Sequence, residues 1–187
     1  MRIIAGTLKG YTLHETKSKN TRPLRDMARE NVFNLLTHSN KIKFKIKKSN
    51  ILDLYAGTGS FGLECLSREA ANVFFVEKSK DTSAILEKNI EKLKLKSNTK
   101  IFISDVFSII DKQKNFQSKF DLIFCDPPFK DKNMKNLIEL IDNKKLIKEN
   151  GIIILHRESK TEEKLPECFT ILEERIYGVS KITFGKL

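Results

Sequence analysis

Apolar and polar positions along this 187-residue chain follow two regimes that meet near residue 50. Beyond it, short apolar runs alternate with longer segments whose apolar positions recur every three or four residues. The runs predict strands near 50–55, 72–77, 99–103, 120–125, 151–156, 168–176 and 179–185. The periodic segments predict helices near 60–70, 79–94, 106–113 and 133–147. Such alternation requires right-handed crossovers and a mostly parallel sheet covered on both faces. Only a short turn at Gly178 separates the last two strands, which an antiparallel pair alone permits. The expected fold is α/β and Rossmann-like: a seven-stranded, mostly parallel sheet with an antiparallel last strand.

The first 49 residues read as an extension to this domain, which spans 50–187. Residues 2–13 alternate weakly and contain Gly6 and Gly10, as a short strand or hairpin would, and 14–21 read as a polar loop. Pro23 disfavours helix at Arg22, so a helix begins just after it. Ala28, Val32, Leu35 and Leu36 mark its buried face, while Arg25 and Arg29 share another. Residues 40–49 are lysine-rich and predict an exposed linker.

Composition narrows the class. Hydrophobic residues make up 40% and charged residues 32%, as in a soluble globular protein. No run approaches the roughly 20 apolar residues of a membrane span. Met1–Gly6 lacks the apolar core of a secretion signal, so a cytoplasmic location is expected, and the small size favours a monomer. Cys65, Cys125 and Cys168 form no C-x-x-C pair, which argues against zinc ligands or a disulfide framework, and Cys65 and Cys125, in apolar stretches, read as buried thiols. His14, His38 and His156 are scattered and suggest no metal site. Charge is unevenly placed. Of the net +11, residues 1–50 carry +9, with twelve Lys and Arg against three acids, and the other 137 residues carry +2. A polyanion-binding surface is the natural reading of that asymmetry.

Two loops carry the candidate chemistry. The first predicted strand runs through Asp53 and Tyr55 into Ala56-Gly57-Thr58-Gly59-Ser60-Phe61-Gly62. Gly57, Gly59 and Gly62 satisfy G-x-G-x-x-G between a strand and a helix, which by itself suits a dinucleotide equally well. Asp53, inside the strand, favours S-adenosylmethionine. Asp-x-x-Ala-Gly-x-Gly resembles motif I of class I methyltransferases, where this acid helps hold the methionine end of the cofactor. Glu77, closing the second strand, can accept both ribose hydroxyls. Asp105, followed by Val106, stands where the adenine amino group is usually met.

The second loop is Asp126-Pro127-Pro128-Phe129, at the end of an apolar strand. Two prolines remove two donors and fix two φ angles, which leaves a stiff loop with free carbonyls. An exocyclic base amine is a poor nucleophile because its lone pair is delocalised into the ring. Hydrogen bonds from the amine to Asp126 and to the Pro127 carbonyl let that lone pair turn toward a methyl donor. Phe129 offers a ring on which the base can stack.

Over its full length the chain resembles the RsmD family of bacterial small-subunit ribosomal RNA guanine-N2 methyltransferases. The resemblance lies in Arg2-Ile3-Ile4-Ala5-Gly6, Lys9-Gly10, Leu13, Arg22-Pro23, Asp26, Arg29-Glu30 and Phe33-Asn34-Leu35-Leu36. It continues in Asp53–Gly59, Gly62-Leu63-Glu64, Leu66-Ser67-Arg68 and Asp126–Phe129. Leu24 and Arg25 depart from it, since the family commonly has small hydroxyl residues there. What the resemblance implies is methylation of the N2 amine of a guanine in 16S ribosomal RNA, free or within the small subunit or its assembly intermediate. It also implies that Arg22, Arg25 and Arg29, with Lys9, contact RNA phosphates. A DNA adenine-N6 or other nucleic-acid amino-methyltransferase shares the Asp-Pro-Pro-Phe loop. A non-catalytic RNA-binding assembly factor would share the fold.

Overall fold

A computed structural model describes residues 1–16, 26–112, 116 and 118–187. After helix α1 (Asp26–His38) the chain runs β1 (Asn50–Leu54), α2 (Ser60–Ser67), β2 (Asn72–Glu77), α3 (Lys80–Lys92) and β3 (Thr99–Ile103). It continues α4 (Val106–Asp111), β4 (Phe120–Cys125), α5 (Met134–Asn143), β5 (Ile147–Glu158), β6 (Thr170–Tyr177) and β7 (Ser180–Lys186). The seven strands form one sheet in the order β3-β2-β1-β4-β5-β7-β6, with β7 antiparallel to both of its neighbours. This is the class I methyltransferase architecture.

The order reverses beside β1, which pairs with β2 on one side and β4 on the other. A cleft opens at such a switch point, beyond the carboxyl ends of the strands. Both sequence motifs leave the sheet there, one from β1 and one from β4.

Both faces of the sheet are buried, which explains the nearly continuous apolar strands. One face carries Ile51, Leu122, Phe124, Ile152 and Ile154 and packs under α2 and α3. The other carries Leu52, Leu54, Ile123, Ile153 and Leu155 and packs under α4 and α5. The N-terminal segment belongs to the first layer: Ile3, Leu13, Val32, Phe33 and Leu36 are all buried in it. A column of stacked rings joins α1 to the sheet. Phe33 lies 5.2 Å from Phe61, and Phe61 lies 3.9 Å from Phe124 on β4.

The arm before α1 is held by side chains of α2. Buried Glu64 accepts the amides of Ile4 (2.7 Å) and Ala5 (3.0 Å) and the Arg68 guanidinium (2.9 Å). Ser67 donates to the Ala5 carbonyl and accepts the Leu8 amide. The expected hairpin is a single bridge between Arg2 and Thr12.

Other boundaries differ for physical reasons. Residues 40–49 are no exposed linker: Ile42 and Ile46 are buried and Phe44 is partly so, with the intervening lysines turned outward. β5 starts four residues before the expected 151, because Ile147 pairs with Phe120 across a register shift. Helix α5 accordingly ends at Asn143 rather than near 147. No helix among the described residues is long and apolar enough to cross a membrane.

Candidate active site

Parity along the strands brings the two motifs together. Asp53 on β1 and Asp126, one residue beyond Cys125 on β4, fall on the sheet face covered by α2. In the parallel register Cys125 pairs with Leu155, so the next residue of β5, His156, stands beside Asp126.

Asp53 is almost wholly buried, and its Oδ2 accepts the Gly62 amide at 3.0 Å. Burial raises its carboxyl well above the usual range; the Gly62 bond opposes this, and the charges of Asp126 and Glu77 add to it. Asp53 therefore fixes the start of α2 and keeps a proton-sensitive charge at the base of the glycine loop. The glycines do different work. Gly57 is left-handed (φ 58°), and a Cβ there would meet nothing within 4 Å, so its backbone faces open space. Gly62 is needed for packing: a Cβ would lie 2.3 Å from the Phe75 ring. Gly59, also left-handed, begins α2. Ala56 is buried, and Tyr55 beside it has a positive φ of 61°.

Glu77 takes the Gly57 amide on Oε2 (2.9 Å) and the Ser79 amide on Oε1 (2.7 Å). The carboxylate thus ties the β1 loop to the β2 loop, with a second lone pair left on each oxygen. Asp105 caps α4: its Oδ1 accepts the amides of Phe107 and Ser108, and its Oδ2 lies 3.6 Å from Lys78 Nζ. Val106 opens the helix, so its N–H has no acceptor within the helix. The acids are therefore structural as well as available. Each is anchored by backbone donors and retains further acceptor capacity.

On the other side of the cleft, His156 Nδ1 lies 2.7 Å from Asp126 Oδ1 and His156 Nε2 lies 2.9 Å from Ser180 Oγ. No hydrogen bond among the described residues reaches Asp126 Oδ2 or the Pro127 carbonyl. Phe129 is half-buried and meets the His156 ring edge-on, with centroids 5.6 Å apart. Arg157, the next residue of β5, fastens the far end of the loop. Its Nη1 donates to the Pro128 carbonyl (3.4 Å), Nη2 to the Asp131 carbonyl, and Nε to Glu163 (3.0 Å). Glu163 also accepts the Met134 amide at the start of α5.

Of the expected RNA contacts, Lys9 is exposed on the arm, whereas Arg22 and Arg25 lie outside the described residues. Arg29 departs from expectation. It is fully buried, and its Nη2 donates to the Arg2 carbonyl at 2.5 Å, so it joins α1 to the arm instead of facing a phosphate. His156, Ser180, Arg157 and Glu163 were not evident in the sequence. The one visible signal was a histidine and an arginine ending the apolar run Ile152–Leu155.

No group of three or more potential metal ligands occurs among the described residues.

The geometry has close relatives. The profile of the family described as "Conserved hypothetical protein 95" matches residues 1–186. The ribosomal RNA small subunit methyltransferase D of Haemophilus influenzae is 35% identical over 179 residues, 96% of this chain and 90% of that protein. The protein of the same name from Buchnera aphidicola is 35% identical over 174 residues, 93% of this chain and 86% of its own length. Among solved structures, YhhF of Escherichia coli superposes with a TM-score of 0.83 at 26% identity, covering 99% of this chain and 96% of that one. The chain belongs to this conserved family, the RsmD family of S-adenosylmethionine-dependent methyltransferases.

Proposed function

We propose that this protein transfers a methyl group from S-adenosylmethionine to the N2 amine of a guanine in small-subunit ribosomal RNA, guanine 966 in the family. The observation that carries the reading is Asp126 at the switch-point cleft, held through Oδ1 by His156 while Oδ2 takes no hydrogen bond among the described residues. The donor's fit rests on Gly57, whose missing Cβ leaves room for a ligand against the backbone, and on three anchored carboxylates spaced along the cleft. In this reading Asp53 holds the methionine end, with Tyr55, Ala56 and Gly59 shaping the loop around it. Glu77 accepts the ribose hydroxyls, and Asp105 with the Val106 amide meets the adenine. When bound, the cofactor supplies an electrophilic methyl group on a sulfonium.

The chain supplies positioning and electrostatics. Asp126 Oδ2 accepts one N–H of the amine and the Pro127 carbonyl accepts the other. Held in that way, the nitrogen lone pair leaves conjugation with the ring and points at the methyl carbon. With the cofactor bound, the C–N bond would form as the methyl C–S bond breaks and leaves a neutral thioether; the Asp126 carboxylate would stabilise the charge gained by the nitrogen, and one amine proton would then pass to Asp126 and on to solvent. Phe129 stacks on the base. A guanine in a loop needs less extrusion than one in a duplex. The uneven charge, +9 in the first 50 residues, draws RNA to the arm side, where Lys9 is exposed and Arg22 and Arg25 lie in sequence. In this reading residues 1–49 are the RNA-side extension and 50–187 the catalytic domain.

Tritium-labelled methyl transfer onto small subunits, naked 16S ribosomal RNA and duplex DNA tests the proposal. Label on either RNA substrate and none on DNA is expected. Label on DNA alone would refute it.

A further inference from the structure

The contacts behind Asp126 go beyond what the Asp-Pro-Pro-Phe motif specifies. His156 and Ser180 lie on neighbouring antiparallel strands. His156 is directly opposite Ile182, so Ser180 is its diagonal neighbour on the same face, within reach of the ring. The imidazole is almost fully buried, with Asp126 on one nitrogen, Ser180 on the other and the edge of Phe129 against the ring. Asp126 Oδ1 and His156 Nδ1 approach to 2.7 Å, and an ionised carboxylate brings no proton to that contact. The proton therefore sits on Nδ1. The lone pair of a neutral ring then lies on Nε2, where the Ser180 hydroxyl donates to it at 2.9 Å.

We infer that His156 is a positioning residue for methyl transfer: its Nδ1–H locks Asp126 Oδ1, the Ser180 hydroxyl engages Nε2 and holds the ring in place, and Oδ2 is left as the acceptor for the substrate amine. Without the lock the carboxylate rotates freely about χ2, and its two oxygens share the contact with substrate. The lone pair of the amine is turned only when the acceptor stands at one fixed point, so a loose carboxylate binds the base without activating it. The loss falls on kcat, not on binding. The inference rests on Asp126 being the amine acceptor, as proposed above.

Three substitutions separate positioning from packing. In His156→Asn the amide nitrogen stands near the place of Nδ1 and still donates to Asp126. In His156→Gln the longer side chain reaches toward Ser180 and loses Asp126. His156→Leu fills the space with no polar atom. The expected kcat on small-subunit RNA falls about 10- to 100-fold for Gln and Leu, as for comparable misplacements of a reacting group. His156→Asn stays within about fivefold of wild type, and KM for RNA and Kd for S-adenosylmethionine change little in all three. Nitrogen-15 NMR of the wild-type histidine shows Nδ1 protonated and Nε2 bare, a pattern that Ser180→Ala keeps and Asp126→Ala mixes. That spectrum decides the matter even if the Leu variant fails to fold. Equal losses in Asn and Leu, or a protonated Nε2 opposite a bare Nδ1, would overturn the inference. Asp126→Ala separates this failure from the larger one: if it still methylates, the proposed mechanism itself is wrong.

Discussion

Asn89, on α3, lies in no motif yet joins the arm to the glycine loop. It is fully buried; its Oδ1 accepts the His14 amide (2.7 Å), and its Nδ2 donates to the carbonyls of His14 (3.1 Å) and Thr58 (3.0 Å). His14 lies on the docked arm, and Thr58 stands between Gly57 and Gly59. Asn89→Leu preserves approximate volume and removes three hydrogen bonds, each worth about 1 kcal/mol net. The expected loss of stability is about 3 kcal/mol. Releasing Thr58 also frees the glycine loop; if about 1 kcal/mol of that loss is returned as loop ordering on binding, cofactor affinity falls roughly fivefold. Asn89→Asp gives a sharper contrast. It keeps the acceptor for His14 but sets a buried carboxylate against two carbonyl oxygens, so it should destabilise at least as much as leucine. Urea unfolding and calorimetric titration with S-adenosylhomocysteine measure the two effects. An Asp variant as stable as wild type would refute this account of the bridge, as would a Leu variant that loses stability with unchanged cofactor affinity.

Three further outcomes follow from contacts around the site. Glu64→Gln leaves one of the two arm amides facing an NH2 group and removes the Arg68 ion pair; a loss of about 2–4 kcal/mol, with faster proteolysis of residues 1–16, should appear in urea and trypsin assays. Asp53 has a folded pKa raised by burial, so the folded state holds the extra proton and loses stability as pH rises from the ordinary carboxylate range toward the raised value. Asn at this position has no such loss: Asp53→Asn should gain on wild type in urea midpoint as pH rises above the ordinary carboxylate range, while binding cofactor more weakly, and a pH-independent difference would contradict the assignment. Arg157→Lys keeps the charge but cannot span Glu163, Pro128 and Asp131, so kcat should drop about tenfold with cofactor affinity intact, measured by single-turnover methylation.

The strands, the mostly parallel sheet with its antiparallel last strand and the shared cleft were legible because apolar period and glycine spacing are local signals; the strand order, a tertiary property, was not. Asp53, Glu77, Asp105 and Asp126 could be picked out because each ends or interrupts an apolar strand. Their backbone partners were hidden, since a cap or a loop tether depends on turns that the spacing does not specify. His156 was passed over for a related reason. It becomes a partner of Asp126 only through the parallel register that sets Cys125 against Leu155. Arg29 shows the opposite error, in which a cation four residues from another suggested a basic face, yet tertiary packing buried it against the arm. The lysines between Ile42, Phe44 and Ile46 masked a period-two pattern that lets the segment bury alternate residues.

The most direct measurement is the identity of the methylated nucleoside. Small-subunit RNA incubated with wild-type protein and labelled S-adenosylmethionine is digested to nucleosides and resolved by chromatography and mass spectrometry, with Asp126→Ala in parallel. Label in N2-methylguanosine from the wild type and none from the variant is the predicted result. Label in any other nucleoside, or equal labelling by the Asp126 variant, would contradict the account.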